Sequence, residues 1–320
     1  MTNEEMLEVL ETIRKDVFGT SDLSTGGKLN NEQADAFIQK LHDYSVMTGD
    51  MRKVKMNAPK RDIDKIGFSG RIAVAPGAEG TTPGGGHTGD SDAADIKKPT
   101  TSKVTLSTEE VDVYVDLGFQ TVEDNIERGG LEDTTIELVA KRLQTDLEEL
   151  YLKGDTATGS TDPYLDLLDG WLKQTTTNVY AHASAAFSED AVFGGMLDKL
   201  PNKYFRTPEG WVFYVSPKIV RKIRRERAAR QTGGGDLWLT GNPPLTYEGV
   251  TIKGVPLMAN QSAMLVHPDN VIIGIQRDIT FDRFRHARRR VWELTWTLRT
   301  DTKFEEEDAV VEGTNIDDAV

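Results

Sequence analysis

Residues 66–120 read as a long extended excursion from the body of the chain. Phe68, Ile72 and Val74 alternate with polar or small residues, the pattern of a half-buried strand. Pro76 to Asp92 then holds six glycines in 17 residues, with Gly84-Gly85-Gly86 near the centre. The return limb carries Val104 and Leu106, then Val111, Val113, Val115 and Leu117. The parity of the apolar positions switches between 106 and 111, which predicts a bulge or a passage from a hairpin into a main sheet. A two-stranded ribbon is marginal in water on its own. One this long, with a soft tip, has to lie against another surface.

The flanking segments read as an arm and a body. Met6, Leu7, Leu10, Ile13 and Val17 recur at helical spacing, a turn-rich stretch follows from Ser21 to Asn31, and Ala34, Phe37, Ile38 and Leu41 form the stripe of a second helix over 32–46. Arg52, Lys53 and Lys55 form a basic patch that ends at Pro59. Two short helices bury little by themselves, so this arm is expected to pack on its own body or on a neighbour.

The clearest helix follows Gly129-Gly130. Thr134 and Glu137 have capping-box spacing, and Ile136, Val139, Ala140, Leu143, Leu147, Leu150 and Tyr151 share one face. Lys153 suits the last turn and Gly154 the position beyond it. At 1.5 Å per residue this spine is about 30 Å long.

Beyond it, DPYLDLLDGWLK offers a short apolar helix and a turn at Gly170, and from about 180 the pattern is α/β. Trp211 to Val215 reads as a buried strand, and Pro217 opens a strongly basic helix to Arg230. Short strands are expected at Tyr247–Ile252, around Leu257, at Met264–Val266 and at Val271–Ile275. Trp292, Leu294, Trp296 and Leu298 alternate with Glu293, Thr295, Thr297 and Arg299, an amphipathic strand read as the last structured element. From Asp301 to Val320 there are eight acids against Lys303, and the end of that tail is expected to be solvated.

Composition narrows the function. With 320 residues and 38% hydrophobic content the chain has ample core for a folded protein, and roughly two or three domains are expected. Cysteine is absent, which excludes disulfide scaffolds, thiolate metal sites and thiol nucleophiles. The acidic start MTNEEMLEVLE is unlike a signal peptide, and no apolar run approaches the ~20 residues of a membrane span. A soluble, intracellularly made protein is expected. The formal net charge of −14 would repel nucleic acid except at a local basic patch.

No catalytic constellation is visible. Gly84-Gly85-Gly86-His87 lacks the Lys-Ser/Thr ending of a phosphate loop, and Gly233-Gly234-Gly235 reads as a turn. The histidines at 42, 87, 182, 267 and 286 have no metal-ligand spacing, and no Gly-x-Ser-x-Gly elbow occurs. No cofactor is expected. Paired acids such as Glu148-Glu149 and Asp112/Asp116 read as solvated faces or sheet edges. Two basic clusters stand out, Lys218–Arg230 and Arg283–Arg290. They suit either nucleic acid or salt bridges to the acids of neighbouring subunits. The second is favoured, because no aromatics interleave the first cluster for base stacking.

The order of parts carries a resemblance. A helical arm precedes a long Gly-tipped hairpin, then comes LGFQTVEDNIERGGLEDTTIELVAKRLQTDLEELYLKGD, then DPYLDLLDGWLK, and the chain closes on an amphipathic strand and FEEEDAVV. PEGWVFYVSP before a basic helix and LTGNPPLTYEGVTIKGVPLM add to it. Over nearly its whole length the sequence resembles the major capsid proteins of tailed double-stranded DNA phages, the Hong Kong 97-like fold. Phe119 to Trp171 is the most specific stretch.

That resemblance implies an α+β chain in five parts. They are an N-terminal arm (1–63), an extended β-hairpin loop overlying an adjacent subunit (64–103), a peripheral domain with the spine helix (104–169 and 276–313), an α/β axial domain (170–275) and a C-terminal tail (314–320). The loop near Gln231 to Asn242 would approach a five- or six-fold axis. It further implies a structural virion protein assembled in a bacterial host, not an enzyme. Its partners would be copies of itself, packaged double-stranded DNA held non-specifically, and scaffold, portal or decoration proteins, with no membrane. Candidate inter-subunit contacts are Phe68, Ile72, Val74, Lys97, Lys98, Arg224, Arg225, Leu237 and Trp238. No covalent crosslinking through Lys97 or Lys98 and no N-terminal processing are expected. Two alternatives stand beside this reading: an encapsulin-like compartment, which would hold protein cargo, and a soluble α/β enzyme, which would need a convergent catalytic set.

Overall fold

The computed structural model describes residues 46–68, 99–123, 131–157, 162–183, 187–229 and 244–316. In chain order the strands are β1 (Arg52–Lys55), β2 (Lys60–Gly67), β3 (Thr100–Ser107), β4 (Glu109–Gly118), β5 (Val179–Ala181), β6 (Val212–Val215), β7 (Thr246–Tyr247), β8 (Val250–Gly254), β9 (Ala263–Val266), β10 (Val271–His286), β11 (Val291–Phe304) and β12 (Val310–Thr314). The helices are α1 (Phe119–Glu123), α2 (Leu131–Lys153), α3 (Trp171–Gln174), α4 (Gly195–Lys199) and α5 (Pro217–Ala228), with a π-helical turn at Asp190–Gly194.

A four-stranded sheet, in the order β1-β10-β11-β4, carries the spine helix α2. β10 and β11 form a long antiparallel hairpin, and β11 pairs antiparallel with β4 from Val291↔Gly118 to Thr300↔Glu109. The period-two pattern of β11 and β4 places Leu294, Trp296 and Leu117 on one face, where Ile136 and Val139 of α2 pack against them. The parity switch near 106–111 is the passage from ribbon to sheet: β3 ends at Ser107 and β4 begins at Glu109. α2 starts at Leu131, so Thr134 lies inside its first turns rather than capping it. At the other end Gly154 N–H closes the helix on Leu150 O at 2.9 Å.

The second sheet has six strands in the order β5-β12-β9-β6-β8-β7. β6 and β9 are buried along their whole length, as continuous apolar runs should be. Phe213, Val215 and Leu265 face one cluster, closed by Ile219 and Ile223 of α5, while Tyr214, Met264 and Val266 face the other. That second cluster also takes in Leu150, Tyr151 and Trp171, so α2 and α3 fill the seam between the sheets. Ser216 caps α5 by accepting the Ile219 N–H, and Pro217 occupies the first turn.

Several sequence expectations need correction. The basic patch at 52–55 is an edge strand, parallel to β10. Met51 and Met56 flank it and are buried, and Met56 lies against Gly274, where a Cβ would stand 2.7 Å from its Sδ. Residues 247–252 are a tight hairpin, not one strand. Glu248 and Gly249 turn it at φ 47° and 85°, the paired positive values of a type I′ turn. Leu257 lies in a turn, and 162–170 form turns, with the helix confined to α3. β11 is not the last element, because β12 inserts between β5 and β9. The two-stranded ladder runs 60–67 against 100–107, four residues wider at each root than 64–103. β10 crosses residue 276 unbroken, and residues 310–313 sit in the six-stranded sheet. Register shifts between Ile275 and Thr280 mark an irregularity within β10.

Among the described residues no helix is long and apolar enough to cross a membrane.

Candidate inter-subunit surface

The β2–β3 ribbon is firmly rooted and otherwise bare. At its root Leu106 is buried with Met56 and Ile272, and Val54 and Ile63 pack against them. Asp301 of β11 accepts the Ser107 N–H at 2.7 Å, and Thr108 N–H donates to Pro59 O at 2.9 Å. Burial raises the Asp301 carboxyl above the usual range, and the hydrogen bonds from Ser107 N–H and Thr302 N–H and the charge of Lys303 only partly offset it. Arg52 pairs with Glu305 at 2.6 Å, while Lys65 pairs with Glu306 at 2.8 Å and also donates to the Glu305 carbonyl.

Away from that root the outermost apolar side chains of the ribbon are exposed. Ile66 is 75% exposed and Phe68 52% exposed. The remaining outward positions of β2 and β3 are mostly polar, and Lys103 and Thr105 both reach Asp62 across the ladder.

A second exposed apolar group lies on the four-stranded sheet. Tyr114 is 71% and Phe284 63% exposed, on the face opposite α2, among Asp112, Asp116 and Glu293. Glu110 on β4 accepts Arg299 at 2.8 Å and also Arg277, and these two partners hold its carboxyl below the usual range.

Part of each basic cluster is answered within the chain. Arg289 bridges Asp116 and Glu293, each at 2.7 Å. Arg283 stacks over Trp292, and Arg285 over Phe119. On α5, Arg227 grips Glu189 in a buried two-pronged pair and donates to Thr246 O at 2.8 Å.

Of the candidate contact residues, Phe68 lies exposed just beyond β2, Arg225 is exposed on α5, and Arg224 beside it is half-buried, its Nε without a hydrogen-bond partner. Ile72, Val74, Lys97, Lys98, Leu237 and Trp238 lie outside the described residues. Tyr114 and Phe284 were not foreseen as exposed. Tyr114 could have been, since it stands on the Asp112/Asp116 parity of β4. The described residues contain no group of three His, Cys, Asp or Glu side chains that could hold a metal.

No family model matches the chain. It is 35% identical over 312 residues to YqbE of Bacillus subtilis (strain 168), which bears the name of a prophage capsid protein, across 94% of this chain and 96% of that one. Solved structures share the fold at lower identity. The capsid of the native GTA particle matches with a TM-score of 0.66 at 13% identity, over 93% of this chain and 98% of that chain. Microbacterium phage Oxtober96 matches at 0.64 and 16% identity, over 92% of this chain and 98% of that chain. The satellite phage P4 procapsid matches at 0.59 and 13% identity, over 99% of this chain and 98% of that chain. On the relationship to YqbE and this shared architecture, the chain belongs to the major capsid proteins of tailed phages with the Hong Kong 97-like fold.

Proposed function

We propose that this chain closes into pentamers and hexamers that build an icosahedral head around double-stranded DNA. As a capsid protein it is structural and not an enzyme, and an encapsulin-like role is not favoured. The observation that carries the assembly reading is the β2–β3 ribbon. Its root is pinned by Leu106 and Asp301, yet Ile66 and Phe68 are 75% and 52% exposed at its outer end. An apolar projection on one copy and a site for it on the next make a head-to-tail contact, which closes into rings where the rotation between copies closes.

In this reading residues 1–63 are the arm and 64–103 the overlying loop. The spine helix with its sheet is the peripheral domain, and 170–275 form the axial domain. Contacts between copies would run through Phe68, Ile72, Val74, Lys97 and Lys98 on the loop and through Arg224, Arg225, Leu237 and Trp238 on the axial side. The net charge of −14 suits a wall along which DNA slides without sticking. A shell whose inner surface is predominantly positive would contradict that point. Scaffold, portal and decoration proteins would be further partners.

Electron microscopy of the purified full-length protein tests the reading. Closed shells, with nucleic acid in particles from infected or induced cells, are expected. A protein that stays monomeric overturns it, and shells filled with protein cargo point to a compartment instead.

A further inference from the structure

Glu305, Glu306 and Glu307 stand side by side in the acid-rich C-terminal stretch, yet each carboxylate grips a different element. Glu305 pairs with Arg52 of β1 at 2.6 Å, and Glu306 with Lys65 of the ribbon at 2.8 Å. One oxygen of Glu307 accepts four hydrogen bonds, from the backbone N–H and hydroxyl groups of Thr176 and Thr177, at 2.6 to 3.1 Å. Burial would raise the Glu307 carboxyl, but those bonds outweigh it and hold it below the usual carboxylate range.

Their place in the fold extends the reach of these contacts. The described chain crosses between the two sheets three times: after α3, at 267–270 and at 305–309. Asn270, in the second crossing, fastens the third on both sides. Its carbonyl accepts the Glu305 N–H at 2.8 Å, and its side chain accepts the Glu306 N–H at 2.8 Å and donates to the Glu306 carbonyl at 2.9 Å. Thr176 and Thr177, gripped by Glu307, belong to the first crossing. The backbone at 305–307 is therefore fixed with respect to both sheets, and the Glu306 side chain projects from a set base.

The ribbon is held at two points. One is its root at Lys60↔Ser107, with Asp301 and Leu106. The other is Lys65, about 17 Å further along the strand, which pairs with Glu306 and donates to the Glu305 carbonyl. Among the described residues beyond Ile63, the ribbon's other hydrogen bonds and ion pairs run between its own two strands. A root alone is a pivot, and a second support sets a direction. The side chains of Lys65 and Glu306 are 21% and 45% exposed, so their pairing contributes little to stability and is given up at little cost. We propose that Glu306 is a positioning residue: with Lys65 it forms a releasable stay that aims the ribbon relative to both sheets before a neighbouring copy receives it. The purpose of the aiming rests on the assembly reading, whereas the stay itself does not.

The chain has no cysteine, so two nitroxide labels can be placed cleanly, at Ile66→Cys on the ribbon and at Glu209→Cys on the exposed turn before β6. Electron–electron double resonance on the full-length, unassembled subunit then reads the ribbon's direction. The labelled parent should give one narrow distance distribution. Glu306→Gln should widen it at least twofold while leaving the urea unfolding midpoint unchanged. Exchanging the charges, as Lys65→Glu with Glu306→Lys, should narrow it again. In about 1 M salt, where the screening length falls to about 3 Å, the parent should widen towards Glu306→Gln and the variant should not change. Equal widths for parent and Glu306→Gln, or a widening that the exchanged pair does not reverse, overturn the stay. Without labels, Glu306→Gln should raise the fraction of open or irregular particles severalfold in electron micrographs, and particles as uniform as the parent's overturn the aiming. If the parent itself forms no shells, the capsid reading fails and the aiming with it, while the distances still decide whether the stay exists.

Discussion

Gly170 donates its backbone N–H to the carbonyl of Gly154 at 2.7 Å, and this crossing is why both positions are glycine. A Cβ on Gly170 would stand 2.6 Å from Gly154 N, and one on Gly154 would stand 2.2 Å from the Leu168 carbonyl oxygen. These are backbone atoms and cannot rotate aside. The contact joins the end of α2 to the start of α3, where Trp171 donates from Nε1 to Thr302 Oγ1 at 2.6 Å. Gly170→Ala should therefore cost about 3 kcal/mol. Gly49→Ala, with nothing within 4 Å of its Cβ, should change stability by less than about 0.5 kcal/mol. Urea unfolding of the unassembled subunit measures both, and equal midpoints would contradict the crossing's importance.

Trp296 is buried between β4 and α2, with Phe281 offset 5.1 Å from its ring. Trp296→Ala should cost about 3–5 kcal/mol, because the spine helix cannot settle into the vacated space. Phe284→Ala, on the exposed face, should cost under about 1 kcal/mol. A loss under about 1 kcal/mol for Trp296→Ala would place its ring at the surface.

Glu312 sits half-buried on β12 between β5 and β9, and burial pushes its carboxyl up to about 7. In the unfolded chain it returns to the ordinary value near 4.5. Between those values the folded state holds the proton more tightly, so stability falls as pH rises through the window from about 4.5 to 7 and is flat beyond it. Glu312→Gln should remove this fall, making the variant more stable than the parent above pH 7 and equal to it below pH 4.5. Because the side chain keeps partial solvent contact, the gain should be about 1 kcal/mol. A variant less stable than the parent at pH 8 would show that the carboxylate has a stabilising partner.

The elements read correctly from sequence were those whose own side chains carry the period. β11 alternates Trp292, Leu294, Trp296 and Leu298, and α2 repeats its stripe over about four turns, so each announces its shape without its partner. What stayed hidden depends on pairing across long separations. Arg52, Lys53 and Lys55 look like a basic patch, because the strand they form is defined by β10, more than 200 residues later. Val310 and Val311 follow four successive acids and look like the edge of a tail, yet they complete the second sheet. The arginine clusters stood out as charge, but their partners Asp116, Glu189 and Glu293 could not be assigned without the fold. Pairing within the chain leaves fewer of those cations for neighbouring subunits than the sequence suggested.

The ribbon gives the most direct test of assembly. Its root is held by Leu106 in a small apolar cluster, by Asp301 on the Ser107 N–H, and by Lys65 on Glu306. None of these contacts involves residues 77 to 90, so removing Gly77 to Asp90 should leave both sheets and the spine helix folded. The variant should keep the parent's unfolding midpoint within about 0.5 kcal/mol. If the proposed loop contact holds, it should nevertheless fail to close shells, because the segment assigned to that contact loses 14 residues of its glycine-rich centre. Sedimentation and electron microscopy of the variant beside the parent read the outcome. Normal closed particles would mean that the ribbon's reach is dispensable and that the contacts between copies lie elsewhere, with the exposed Tyr114 and Phe284 face the next surface to alter.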